Sequence, residues 1–235
     1  MYKIICCDYD GTLVTSCDEV LSLQFLEKLH NLASRGIIFT VASGRPYNQL
    51  KKIFAPVFSD IAFIASDGAQ IMYKNCLLGK TTMCLQDVKA LAQTALDFGL
   101  SPIAALREQN KSISREQLAL PFLFSSDIFK LIVAKNGKSA QALKQKASTL
   151  SNVRICYEDA SFIEFCASNA NKGNALNTLM QKFSCPIERV CAIGDGKNDL
   201  EMLKLVKNSF RPKCADEQII DIAQEINVKQ FIMDI

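Results

Sequence analysis

Two aspartates separated by one residue, in Asp8-Tyr9-Asp10-Gly11-Thr12, are the first residues whose type and spacing could do chemistry. They follow Lys3–Cys7, a short apolar run that reads as a buried strand. Carboxylates this close repel one another unless a proton or a cation intervenes. Oxygen donors of this type suit Mg²⁺, and Gly11 permits a tight turn. Asp and Gly are also ordinary turn residues, so the same segment reads equally as a turn in which Asp10 caps a helix. A second acidic cluster, Gly194-Asp195-Gly196-Lys197-Asn198-Asp199, follows another apolar run, Arg189–Ile193. Alone it reads as a glycine turn with Asp199 as a helix N-cap. Open α/β sheets bind ligands beyond the carboxyl ends of their strands. Two acidic clusters at two such ends can face one crevice, and the coincidence favours a site over two unrelated turns.

Two more polar segments sit where strands give way to helices. Ser43-Gly44-Arg45-Pro46 offers a hydroxyl and free amides at a helix start, which suits an anion. Asn171-Lys172-Gly173 opens another helix, where a Lys can neutralise an anionic oxygen as a point charge. Either one alone also reads as a solvated loop.

These segments need a scaffold that brings strand ends together, and the hydrophobic pattern supplies one. Lys3–Cys7, Ile37–Ala42 and Ile61–Ala65 are continuous apolar runs. They alternate with helical spacing over Asp18–Arg35, closed by Gly36, and over Tyr47–Phe54, with Pro46 in its preferred first helical position. Such runs suit strands of a parallel sheet covered on both faces. The rhythm then changes. Helices over Leu85–Phe98 and Ser139–Leu150, strands over Ser101–Ala105 and Phe129–Lys135, and a hairpin of Val153–Tyr157 with Phe162–Cys166 make a small α+β unit. The first rhythm returns with a helix over Lys172–Lys182, the strand Arg189–Ile193, a helix over Leu200–Val206, a short strand near Phe210 and a helix near Glu217–Gln224. The expected fold is an α/β, doubly wound parallel-sheet core over 1–79 and 167–235, with an α+β cap inserted over 80–166.

Composition narrows the partners. Of 235 residues, 49% are apolar and 22% charged, which excludes a disordered chain. A net charge of +3 is too small to argue for nucleic acid. No apolar run approaches the ~18 residues of a membrane span, and the start does not read as a signal peptide. A cytoplasmic location is expected. None of the ten cysteines forms a Cys-x-x-Cys pair, and His30 is the lone histidine. No zinc site is expected, and the cysteines read mostly as small buried hydrophobes. His30 reads as a surface or packing residue.

In this order the segments DYDGT, ASGRP, NKG and GDGKND resemble the four motifs of the haloacid dehalogenase superfamily of phosphatases. The insert between the second and third resembles the C2B cap of its Cof-like sugar-phosphatase branch. The likeness covers essentially the whole chain. It implies a Mg²⁺-dependent phosphatase hydrolysing a small phosphate monoester, a sugar phosphate or related metabolite, through an aspartyl-phosphate. Asp8 would be the nucleophile and Asp10 the general acid and base. Mg²⁺ would be held by the Asp8 carboxylate, the Asp10 backbone carbonyl and Asp195, with Asp199 supporting the metal's waters or Lys172 from behind. Ser43, Gly44, Lys172 and Asn198 would hold phosphate oxygens. Two other readings stay open: a phosphomutase of the same superfamily, and a non-catalytic protein that binds a phosphorylated ligand. The chain departs from the branch at Asp67-Gly68, where Asn-Gly is usual. A carboxylate there would repel an anion unless paired with Arg45 or another cation. Arg107, Arg115 and Lys130 are candidates to meet a second anionic or hydroxylated group on the substrate, or else exposed solubilising charges.

Overall fold

The computed structural model describes residues 1–16, 20–106, 110–119 and 127–235. In chain order the elements are β1 (Ile4–Asp8), α1 (Leu23–Ser34), β2 (Ile38–Ala42), α2 (Tyr47–Ile53), β3 (Ala62–Ala65), β4 (Gln70–Tyr73) and β5 (Cys76–Lys80). Then come α3 (Leu85–Asp97), β6 (Pro102–Leu106), β7 (Asn110–Ser112), α4 (Arg115–Ala119), β8 (Ile128–Ala134), α5 (Gly137–Ser148), β9 (Val153–Glu158) and β10 (Phe162–Ala167). The chain ends with α6 (Lys172–Lys182), β11 (Val190–Ile193), α7 (Leu200–Leu205), β12 (Asn208–Arg211), α8 (Glu217–Ile220), β13 (Gln224–Glu225) and α9 (Val228–Asp234). Two compact units result, one of Met1–Lys80 with Asn171–Ile235, the other Thr81–Ala170. They divide at 80/81 and 170/171, against the 79/80 and 166/167 read from the sequence.

The first unit is built on one sheet in the order β13-β12-β11-β1-β2-β3-β4-β5. β1 pairs in parallel with both β2 and β11, so the chain reverses its direction of travel across the sheet at β1. Such a switch point opens a crevice at the carboxyl ends of the strands. β1 is apolar on both sides because both of its faces are covered. Ile5 and Cys7 pack with Leu29 and Leu32 on one face, and Ile4 and Cys6 with Leu176 and Met202 on the other.

Local chemistry explains where the elements depart from the sequence reading. α1 starts at Leu23, not Asp18, because Ser22 caps it, its Oγ accepting from the Phe25 N–H at 3.2 Å. Residues 18 and 19 lie outside the described residues. Pro46 is the N-cap of α2 rather than its first helical residue, with φ −62° and ψ 149°. The ring fixes only φ, and that value serves an extended ψ as well as a helical one. The sheet is not wholly parallel. β4 and β5 add an antiparallel hairpin that turns at Lys74-Asn75, both with positive φ (48° and 62°). β13 and α9 also have no counterpart in the sequence reading. β13 is the edge strand beside β12, and α9 buries Val228 and Ile232 in the same apolar cluster as Leu29 and Leu32 of α1.

The second unit is a five-stranded antiparallel sheet in the order β7-β6-β8-β10-β9. Val88 and Leu91 of α3 and Leu143 of α5 pack with Leu131, Val133 and Phe165 in one apolar cluster. β7 and α4 occupy the stretch between β6 and β8 that has no clear period in the sequence. Arg107 lies outside the described residues. Arg115 is a surface charge, with Nη2 2.9 Å from Asp97 Oδ1. Lys130 is not an exposed charge: it is buried, with Nζ donating to Glu164 Oε2 at 2.8 Å.

Among the described residues no helix is long and apolar enough to cross a membrane. Cys6, Cys7, Cys166, Cys185 and Cys191 are buried, whereas Cys76, Cys84 and Cys214 are exposed, so only part of the cysteine set packs as core. Cys17 lies outside the described residues. His30 is exposed and its Nδ1 lies 2.9 Å from Asp60 Oδ2.

Candidate active site

At the centre lies Lys172, fully buried at the first position of α6. Its Nζ donates to Asp8 Oδ1 at 2.5 Å and to Asp199 Oδ1 at 2.6 Å. The helix starts there because Asn171 is its N-cap, its side chain accepting from the Asn174 N–H at 2.7 Å. One ammonium therefore ties together the ends of β1, α6 and the loop after β11. Asp199 Oδ2 accepts from the backbone N–H groups of Asp195 and Gly196 at 3.1 and 3.0 Å. Both of its oxygens are engaged, so Asp199 shapes the loop that carries Asp195.

Asp195 meets the other side of the Asp8 turn. Thr12 Oγ1 donates to Asp195 Oδ1 at 2.5 Å. Gly11 has φ +90°, and a Cβ there would collide with the Asp195 carboxylate. The glycine is therefore needed both for the turn and for the approach of that acid. Asp8, Asp195 and Asp199 each offer a carboxylate oxygen, all within 4.8 Å of one another. Asp8 Oδ2 is buried and has no hydrogen-bond partner. An unpartnered buried carboxylate oxygen is costly. Oxygen-only donors with one lone pair unmet fit a hard divalent cation such as Mg²⁺.

Ionisation follows the same crowding. Burial pushes the Asp8 carboxyl well above the usual carboxylate range; Lys172 draws it back and Asp199 pushes it further. Asp195 is raised mainly by burial, against the Thr12 hydrogen bond. Burial alone would lower the Lys172 ammonium, but Asp199 and Asp8 together outweigh it and hold it protonated. Without a cation the cluster has more carboxylates than positive charges, which favours the protonated forms of Asp8 and Asp195. Burial also raises the neighbouring thiol Cys7, so it is no thiolate nucleophile.

The remaining site residues sit at the ends of β2 and β3. Ser43 is buried; its Oγ donates to Asp10 Oδ2 at 3.4 Å and accepts from the Arg45 N–H at 3.1 Å. The Asp10 carboxylate is gripped by Arg45, whose Nη2 lies 2.6 Å from Oδ1 and whose Nε lies 2.9 Å from Oδ2. Asp67 has a partner that the sequence did not suggest. It is buried and accepts from Asn198 Nδ2 at 3.0 Å. Asp67 also adds to the charge that holds Lys172 protonated. Gly44 lies beside it: a Cβ there would stand 3.3 Å from the Asp67 oxygens. Thus Asp8, Asp195, Asp199 and Lys172 form one linked group, and Asp10 with Ser43 another. Gly44 and Asn198 gather around Asp67. Sequence reasoning missed Thr12 as the partner of Asp195 and Arg45 as the partner of Asp10. Each lies inside a recognised segment, but neither segment tells which acid it serves.

Sequence and structure comparisons agree on the family. The family model for haloacid dehalogenase-like hydrolases matches residues 5–119 and 104–230. The chain belongs to this family, in its Cof-like phosphatase branch, and is a phosphoric monoester hydrolase. It is similar to a 5-amino-6-(5-phospho-D-ribitylamino)uracil phosphatase of Escherichia coli, 23% identical over 94% of this chain and 89% of the relative. It is also similar to phosphoglycolate phosphatase 1 of Saccharolobus solfataricus, 26% identical over 96% and 89%. A haloacid dehalogenase-like hydrolase from Bacteroides thetaiotaomicron shares the fold with a TM-score of 0.83, at 21% identity and covering 100% of this chain and 99% of that one.

Proposed function

We propose that the protein is a Mg²⁺-dependent phosphatase that hydrolyses a small phosphate monoester, a sugar phosphate or a related metabolite, through an aspartyl-phosphate on Asp8. The observation that carries this reading is the Asp8 carboxylate itself, fixed through Oδ1 by the buried Lys172 while Oδ2 is left without a partner. The two similar enzymes act on small organic phosphates by name, which supports the substrate class. Asp8, the Asp10 backbone carbonyl and Asp195 would hold the ion. Bound Mg²⁺ would supply charge neutralisation for the phosphoryl oxygens and the attacking carboxylate.

The protein's own residues do the rest. An Asp8 oxygen attacks phosphorus, the ester P–O bond breaks, and Asp10 gives its proton to the departing alkoxide. Lys172 neutralises the phosphoryl oxygens while holding Asp8 in orientation, and Ser43, Gly44 and Asn198 complete the cradle. A water then attacks the phosphorus, Asp10 takes its proton, and the P–O bond to Asp8 breaks. Orthophosphate leaves and the Asp8 carboxylate is restored.

The test is phosphate release from a panel of sugar phosphates, phosphoglycolate and p-nitrophenyl phosphate, with Mg²⁺ and with EDTA. Metal-dependent turnover is expected, abolished by Asp8→Asn. Turnover by Asp8→Asn at a substantial part of the wild-type rate, with deamidation excluded, would overturn the nucleophile.

A further inference from the structure

An arginine beside an anion pocket reads first as a phosphate ligand, but the geometry here gives Arg45 another task. Its Nε and Nη2 are both committed to Asp10, with Nε–Oδ1 3.1 Å, Nε–Oδ2 2.9 Å and Nη2–Oδ1 2.6 Å. The guanidinium itself is anchored on several sides. It lies over the Tyr9 ring, 5.3 Å from its centroid, and that ring is buried edge-on against Phe54. The Arg45 backbone N–H donates to Ser43 Oγ at 3.1 Å, and its carbonyl accepts from the Ser66 N–H at 2.9 Å. Asp10 has less support of its own. Its side chain is 46% exposed, and apart from Arg45 its carboxylate meets only the long Ser43 bond of 3.4 Å among the hydrogen bonds described.

We propose that Arg45 is the positioning residue of the general acid and base: it fixes the rotation of the Asp10 carboxylate against the rigid Tyr9–Ser43–Ser66 frame. This rests on the reading of Asp10 given above. A half-exposed aspartate samples several rotamers, and proton transfer needs the carboxyl within hydrogen-bond reach of the leaving oxygen. A planar fork binds a carboxylate in one plane and one direction, which a lysine cannot reproduce. Holding a catalytic group in its working rotamer converts directly into rate.

The experiment compares kcat/KM for glycerol phosphate, whose alkoxide must be protonated as it leaves, with that for p-nitrophenyl phosphate, whose leaving group needs little help. It uses wild type, Arg45→Ala, Arg45→Lys, Asp10→Asn and the double variant Asp10→Asn/Arg45→Ala, each checked by thermal melting. Arg45→Ala should lose at least about tenfold more on the alkyl ester than on the aryl one, a fraction of the ~10²–10⁴-fold that a general acid contributes. Arg45→Lys should recover only part of the loss. In the Asp10→Asn background, Arg45→Ala should add no further leaving-group dependence. Equal losses on both esters, or an undiminished loss in the Asp10→Asn background, would show that Arg45 acts on the phosphate itself and overturn the proposal. A gain in activity on losing Arg45 would overturn it too, because the grip would then be holding Asp10 out of use. If Asp10→Asn itself shows no leaving-group dependence while wild type turns over, Asp10 is not the acid, and this proposal falls while phosphatase activity stands.

Discussion

Replacing Lys172 by Met is the sharpest test of the site as a charge balance. Met is close to Lys in length and flexible enough to fill its tunnel, so packing changes little. What changes is the one ammonium that, among the described residues, contacts both Asp8 and Asp199, at 2.5 and 2.6 Å, in a place where Lys172 has no solvent exposure. Removing one partner of a buried ion pair leaves the other charge uncompensated and costs ~3–5 kcal/mol. For a protein of this size each kcal/mol moves the melting temperature by ~2–4 °C, so the fall should be about 6–20 °C. Circular dichroism melts in EDTA measure it directly. Saturating Mg²⁺ should return part of the loss, because a cation then faces the same oxygens. Asp199→Asn added to Lys172→Met should also return part, by removing one of the stranded charges. At ~2–4 °C per kcal/mol, a melt of Lys172→Met within about 2 °C of wild type in EDTA would refute the claim that this ion pair holds the loops together.

Two further outcomes follow from the same geometry. Burial raises Asp8 and Asp195 above their unfolded values, so in the metal-free state their contribution to stability is present at low pH and lost as pH rises through the raised folded values. The stability of Asp8→Asn relative to wild type, measured by melts in EDTA, should therefore grow from pH 5 towards pH 7, both points lying above the ~3.9 of a free Asp, and shrink in Mg²⁺; a flat difference would contradict the assigned shift. Gly68 and Gly36 both have positive φ, 93° and 76°, but a Cβ on Gly68 would collide with the Asn171 backbone carbonyl, whereas Gly36 has nothing within 4 Å. Gly36→Ala should cost only the ~1–2 kcal/mol of a left-handed alanine. Gly68→Ala should cost more and lower kcat by displacing the start of α6; equal stability losses and unchanged kcat in both would sink the argument.

The candidate site was legible in the sequence as residue types at strand ends. Asp8, Ser43, Lys172 and Asp195 each follow an apolar run or open a helix, and a reader of one chain can see that much. The partnerships were not legible. Lys172 reaches Asp8 across 164 positions, and Asn198 reaches Asp67 across 131. Which acid meets which cation depends on β1 lying between β2 and β11, a matter of sheet order rather than of local pattern. Arg45 illustrates the limit. The sequence raised Asp67 as its partner and did not point to Asp10; the fold sets the end of β2 beside the Asp8–Asp10 turn, and the fork closes on Asp10. The β4–β5 hairpin escaped for a different reason, since Lys74-Asn75 carries no glycine to mark a turn that uses positive φ at both positions.

Where local rules are broken, the breaks fall in several motifs at once. Ser66, Asp67 and Gly68 are successive residues with positive φ, an arrangement that non-glycine residues avoid. They are held there because the Ser66 and Asp67 N–H groups donate to the carbonyls of Arg45 and Ser43, and because Gly68 lies against the Asn171 carbonyl. That one turn thus locks the second motif, which carries Ser43 and Arg45, to the third, which carries Lys172. Lys172 in turn is tolerable as a buried ammonium only because the first and fourth motifs supply Asp8 and Asp199. Each segment read alone is therefore an ordinary turn or cap with a cost attached, and each cost is met by a residue from another segment. Strained backbone and buried charge of this kind persist only where the surroundings over-determine them, which is why the four segments carry meaning as a set and little when taken singly.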